Sequence, residues 1–137
     1  LPEASHLAAD AEVKQLKGSA SLRVDLKGLD KAFVMQWLKG IMPNTTYRLD
    51  GYVRTKDVEG NVFLTVMAEN STRMNKAWVS TEKVTGTSDW RKLSLQIKTA
   101  EDTDTLAVRF EYRPAKEGVA ASAGTAWVDN ITLTKIE

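Results

Sequence analysis

The chain has 137 residues, 42% hydrophobic and 27% charged, which suits one globular domain with a core and excludes a disordered chain or two ordinary domains. Its 19 basic and 18 acidic residues leave a net charge of +1, which argues against nucleic-acid binding by backbone neutralisation. Cysteine is absent and His6 is the single histidine, so disulfides, thiol catalysis, multi-histidine metal sites and most Ser-His-Asp schemes are excluded.

No apolar run is long enough for a membrane span and no charged-then-apolar leader opens the chain, so no membrane insertion is expected. The Leu1-Pro2 start is read as excision from a longer chain. Residues 1–17 carry the weakest pattern. Ser5 could cap a short helix reaching Gly18, with Leu7, Ala11 and Leu16 on one face. A strand over residues 11–16 is preferred because all that follows is strand-like. Two regions result: an N-terminal segment or edge strand over residues 1–17, and a β-sandwich over residues 18–137.

Residues 21–27, SLRVDLK, alternate with Leu22, Val24 and Leu26 inward. Residues 33–38, FVMQWL, are apolar on both faces, so periodicity does not choose an inward side. Residues 43–55, PNTTYRLDGYVRT, read as a turn entering a strand with two unlike faces. Tyr47, Leu49, Gly51 and Val53 suit a core. Arg48, Asp50, Tyr52 and Arg54 form a polar face with one aromatic, as a surface that grips a polar ligand needs.

The Gly60-Asn61 pair predicts a turn, which makes residues 47–55 and 62–69 a hairpin. A polar loop (residues 70–76) precedes a short irregular strand with Trp78. Residues 85–89, TGTSD, read as a turn before a strand with Leu93, Leu95 and Ile97 inward. Leu106, Val108, Phe110 and Tyr112 then alternate with Ala107, Arg109, Glu111 and Arg113. Residues 114–124 form a flexible loop, and residues 125–136 form the last strand. No window holds a long amphipathic helix. Seven to nine short strands separated by turn signals predict an all-β fold, an antiparallel β-sandwich or jelly roll of two sheets.

GSASLRV near the start, PNTTYRLDGYVR in the middle, and GTSDWRKLSLQI, TLAVRFEY and AWVDNITL in the second half occur in that order. Together they resemble the jelly-roll carbohydrate-binding modules of families four, nine and twenty-two, part of the wider galactose-binding-like group. The resemblance covers residues 18–133. One departure stands out: the family opens with a strand carrying Asn-x-x-Phe-Glu, which residues 1–17 do not match.

The resemblance implies a non-catalytic module that binds a polysaccharide or oligosaccharide within a larger secreted, extracellular or cell-surface protein, alongside other domains of the same polypeptide. On that reading Arg23, Arg48, Asp50, Tyr52, Arg54, Arg109 and Glu111 line one groove. Aromatic rings there cover the C–H face of a sugar while Arg, Asp and Glu hydrogen-bond its hydroxyls. Tyr52 matches a position at which related modules carry an aromatic platform. The bland alternative is cross-strand ion pairing on a solvated sheet, each pair contributing about 0–1 kcal/mol.

Trp37 and Trp78 are candidate sugar platforms, whereas Trp90 and Trp127 are read as packing. Asp129 shares parity with Trp127, Ile131 and Leu133, which predicts a core-facing carboxylate that must be paired or coordinated. The bland reading is a hydrogen bond from backbone amides or an Arg. The resemblance implies a structural calcium with Asp129 as a ligand, oxygen donors suiting that ion. Asp50 and Glu111 could be offered as a hydrolytic carboxylate pair, but carboxylates beside Arg make poor general acids, so catalysis is not expected. Asn44, Asn70 and Asn130 sit in Asn-x-Ser/Thr patterns, weak signals in a Thr-rich chain.

The rival class is a structural or adhesion sandwich that binds no sugar. A binding surface requires at least two exposed aromatics beside a polar cluster, whereas a spacer buries all of them. A support for a neighbouring catalytic domain would instead show an apolar patch.

Overall fold

The computed structural model describes residues 7–10, 21–70 and 75–136. These contain no helix and eight strands: β1 (Leu7–Asp10), β2 (Ser21–Asp25), β3 (Ala32–Leu38), β4 (Thr46–Glu69), β5 (Asn75–Ser80), β6 (Val84–Lys98), β7 (Thr105–Arg113) and β8 (Thr125–Lys135). Every pairing is antiparallel. The all-β sandwich expected from the alternation is the fold observed. The strand expected over residues 11–16 lies outside the described residues. The edge strand seen is β1, paired with β2.

The expected hairpin over residues 47–69 does not form. Those residues make one strand of 24 residues that serves both layers. Its first half pairs with β6 and β8, with Leu49 opposite both Leu95 and Leu133. Its second half pairs with β7 and β5, with Met67 opposite Ala107 and Trp78. Layer one is therefore β1-β2-β8-β4-β6, and layer two is β3-β7-β4-β5.

The Gly-Asn signal marks a change of layer rather than a reversal. Pairing with β6 slips between Val53 and Thr55, between Thr55 and Val58, and between Val58 and Val62. Asp57 adopts a left-handed φ of 54° inside this stretch. Gly60 is required by close approach, since a Cβ there would lie 2.0 Å from the Arg113 carbonyl oxygen. The expected turn over residues 85–89 is likewise absorbed into β6. Gly86, at φ 69°, stays opposite Val58 as β6 follows the bend of its partner.

The turn before β4 is built as its residue types demand. Asn44 takes φ 51°, and the Thr45 hydroxyl donates to the Pro43 carbonyl at 2.8 Å. The Thr99 hydroxyl accepts from the Thr45 amide at 2.9 Å and donates to the Met42 carbonyl at 2.7 Å. This lock directs Tyr47, Leu49 and Val53 into the core between the layers.

There they meet Val24, Leu26, Leu64, Val66, Leu93, Leu106 and Val128. Each fully buried Leu or Val contributes about 1.5–3 kcal/mol. A cavity of about 670 Å³ separates β3 from β8, lined by Leu22, Val34, Leu38, Val108, Val128 and Leu133 among others.

Candidate functional site

Residues directly opposite each other on antiparallel strands share a face. On layer two, Trp37 of β3 lies opposite Ala107, which lies opposite Met67, which lies opposite Trp78. One row along run Met35, Arg109, Thr65 and Ser80, and then Phe33, Glu111 and Phe63. Leu106, Val108, Phe110 and Tyr112 of β7 point into the core, so these rows form the outer face of layer two.

The two indoles stand on the outer strands of this layer, three strand spacings or about 14 Å apart. Trp37 is 45% exposed and Trp78 53% exposed. Between them the central positions Ala107, Thr65, Met67 and Phe63 are buried. Buried residues at mid-sheet with exposed tryptophans at both sides make a trough. Phe33, Met35, Ser80, Arg109 and Arg113 remain accessible in and beside it.

Stacking and ion pairing position the polar groups. The Arg109 guanidinium lies 4.0 Å from the centre of the Phe33 ring, a cation-π contact that fixes its plane. Glu111 is 2% exposed; its Oε1 accepts from Arg113 Nη2 at 3.0 Å and lies 4.0 Å from Arg109 Nη1. Arg109 Nε and Glu111 Oε2 are buried without a hydrogen-bond partner among the described residues. A buried polar group left without a partner costs about 1–3 kcal/mol. Lys83 lies over the Phe63 ring at 5.6 Å.

The single groove expected from the alternation is split in two. Arg109, Glu111, Trp37 and Trp78 share the outer face of layer two. Arg48, Asp50, Tyr52 and Arg54 face outward from the first half of β4, in layer one, where Arg23 joins them across Trp127. The groove cannot be shared because β4 bends between these groups, and period-two alternation records a residue's face but not its layer.

The layer-one set is largely paired within itself. Asp50 is buried and accepts from Ser94 Oγ and from Arg48 Nε at 3.0 Å. The Ser94 hydroxyl above all, with the Arg48 guanidinium, holds its carboxyl below the usual range despite the opposing effect of burial. Arg23 lies 3.6 Å from Asp25.

Asp129 does not face the core. Asn130 takes φ 51°, and the ladder with β4 slips between Asp50 and Tyr52. This irregularity reverses the parity of β8. Trp127 and Asp129 lie opposite Arg54 and Tyr52 and so face outward, while Leu133 lies opposite core Leu49. Trp127 is buried, but beneath Arg54 at 5.7 Å rather than in the core. Trp90 has the parity of exposed Lys92 and Ser94 and is half-buried, outside the core cluster.

Asp129 Oδ1 accepts from the Asn130 amide at 2.8 Å. Among the described residues no three His, Cys, Asp or Glu side chains converge as a metal site. Asp50 and Glu111 lie on different outer faces and form no carboxylate pair.

The fold is shared with solved structures. The enzymatically active domain of tailspike protein 4 from bacteriophage CBA120 superposes with a TM-score of 0.74 at 11% identity over 95% of this chain, which spans 18% of that chain. A family 16 carbohydrate-binding module gives 0.65 at 22% identity, covering 94% of this chain and 85% of that one. A family 61 module in complex with β-1,4-galactotriose gives 0.63 at 14% identity, covering 99% and 86%. No curated protein matches the sequence. The sequence profile named "Carbohydrate binding domain", for families 4 and 9, matches residues 3–117. With that match over most of its length, and with the fold those modules share, the chain belongs to the carbohydrate binding domain family.

Proposed function

We propose that the chain is a non-catalytic module of a longer secreted polypeptide, and that it holds a polysaccharide across the outer face of layer two. The observation that carries this is the placement of two exposed indoles, Trp37 and Trp78, on either side of one row, with Arg109 and Arg113 between and beside them. Indole faces cover the apolar C–H surface of a pyranose, and guanidinium N–H groups donate to its hydroxyl and ring oxygens. A spacer sandwich would bury these rings. Two exposed aromatics beside a polar cluster are what a binding surface requires. The separation of Asp50 from Glu111 also removes the one carboxylate pair considered for glycoside hydrolysis.

The test is affinity electrophoresis and calorimetry against a panel of neutral and acidic soluble polysaccharides. A bound polymer should lose affinity by several hundredfold in the Trp37→Ala, Trp78→Ala double variant, taking about 2 kcal/mol for each hot-spot ring. Stability should change by less than about 0.5 kcal/mol per exposed position. Tyr52→Ala, on the other layer, should leave that affinity unchanged. Binding that survives the double Trp substitution and disappears in Tyr52→Ala would move the site to layer one.

A further inference from the structure

The outer face of layer one carries a second cleft, of about 530 Å³, where the bend of β4 meets the start of β6. Arg54, Lys56, Thr87, Ser88, Asp89 and Trp127 line it. The Arg54 guanidinium carbon lies 5.7 Å from the centre of the Trp127 ring, within cation-π range, so the buried indole positions the cation.

Arg54 differs from its counterparts. Arg23, Arg48, Arg91, Arg109 and Arg113 each have a carboxylate within 4.0 Å. Arg54 has no ion pair and no hydrogen bond among the described residues. Lys56, two residues on and exposed, adds a second cation to the same cleft without an ion pair among the described residues.

Two carboxylates, Asp57 and Asp89, line the cleft as well and balance its formal charge, but neither pairs directly with Arg54 or Lys56. Asp89 Oδ1 is taken by the Trp90 amide at 2.7 Å. Asp57, also at the cleft, has no ion pair to Arg54 or Lys56. The Thr87 hydroxyl accepts from the Asp57 amide at 3.0 Å and keeps its own proton to donate.

A fork of guanidinium N–H groups held by an aromatic ring, with an ammonium and a hydroxyl donor beside it, matches a carboxylate bidentately. We propose that this cleft is a second sugar site, selective for a uronic acid residue. Its carboxylate takes Arg54 and Lys56, and its ring hydroxyls take Thr87 and Ser88. The site lies on the opposite layer from Trp37 and Trp78 and does not depend on glycan binding there.

The experiment is titration of the ¹⁵N-labelled chain with trigalacturonate, following the four indole N–H resonances, with trigalacturonate methyl ester and inorganic sulfate as parallel probes. The acid is expected to shift the Trp127 indole, and the neutral ester to bind at least tenfold more weakly. Arg54→Ala should lose at least tenfold in affinity for the acid, and Arg54→Lys a smaller factor at an unchanged melting temperature. The Trp37→Ala, Trp78→Ala variant should keep it, which separates this site from the layer-two surface. Equal affinity for acid and ester, an unmoved Trp127 resonance, or full binding in both Arg54 variants would each overturn the proposal. So would displacement of trigalacturonate by sulfate at equal concentration, which would reduce the cleft to a general anion trap.

Discussion

The two outer faces of the sandwich are built from similar residue types and solve different problems. On layer one, Arg48 and Asp50 pair with each other, Ser94 completes the carboxylate, and Arg23 reaches Asp25. On layer two, Glu111 is nearly inaccessible beside Arg109 and Arg113, and two indoles stand in solvent. The exposed indoles of layer two, beside its charged cluster, mark a face whose contacts are completed by something else, whereas on layer one the charges largely pair with one another. Arg54, with no ion pair among the described residues, is the exception on layer one, and the second cleft lies beside it.

The contrast can be broken at the bend that separates the faces. Gly60→Ala forces a Cβ against the Arg113 carbonyl, where backbone must move, and should cost about 3 kcal/mol or more in urea denaturation. A smaller cost would mean that the two halves of β4 are less tightly fixed than their pairing implies. Next in size is Glu111→Gln, which replaces the buried carboxylate paired with Arg113 and Arg109 by a neutral amide. A loss of about 1–3 kcal/mol in stability is expected, together with weaker glycan binding. Loss of stability with unchanged binding would assign Glu111 to the scaffold alone.

Asp50 tests the internally paired face. Its carboxyl is held down by the Ser94 hydroxyl and Arg48, so its contribution is present above the unfolded value and lost as pH falls through the folded one. The urea midpoint of the unsubstituted chain should therefore fall more steeply below about pH 4 than that of Asp50→Asn. Parallel acid limbs would show that the pair contributes little.

The smallest effect is expected from metal removal. With Asp129 facing outward and bonded to the Asn130 amide, EDTA should leave the melting temperature unchanged, whereas a rise of several degrees on adding calcium would show that a site exists.

Much of the strand content was legible, because period-two alternation reports burial directly. Val24 and Leu26, Leu49 and Val53, and Leu106 and Val108 all face the core as their spacing predicts. Three readings failed where the backbone departs from ideal pleating. Gly60-Asn61 looked like a hairpin because close approach and reversal use the same residue types. TGTSD looked like a turn, yet its glycine accommodates a bend within a strand. Asp129 and Trp127 looked inward because nothing in the residue pattern shows that Asn130 takes a left-handed φ and resets the parity after it. Trp37 sat in a segment apolar on both faces and Trp78 in a short irregular strand, and only the cross-strand register sets them on one row.

By itself the sequence determined that the chain is all-β, which residues alternate inward along most strands, and which family pattern it carries. Side-chain chemistry and local spacing are enough for that. Only the tertiary structure decided which outward residues become neighbours. That depends on where a 24-residue strand changes layer and where a single bulge resets parity, and both are settled by long-range pairing rather than by local preference.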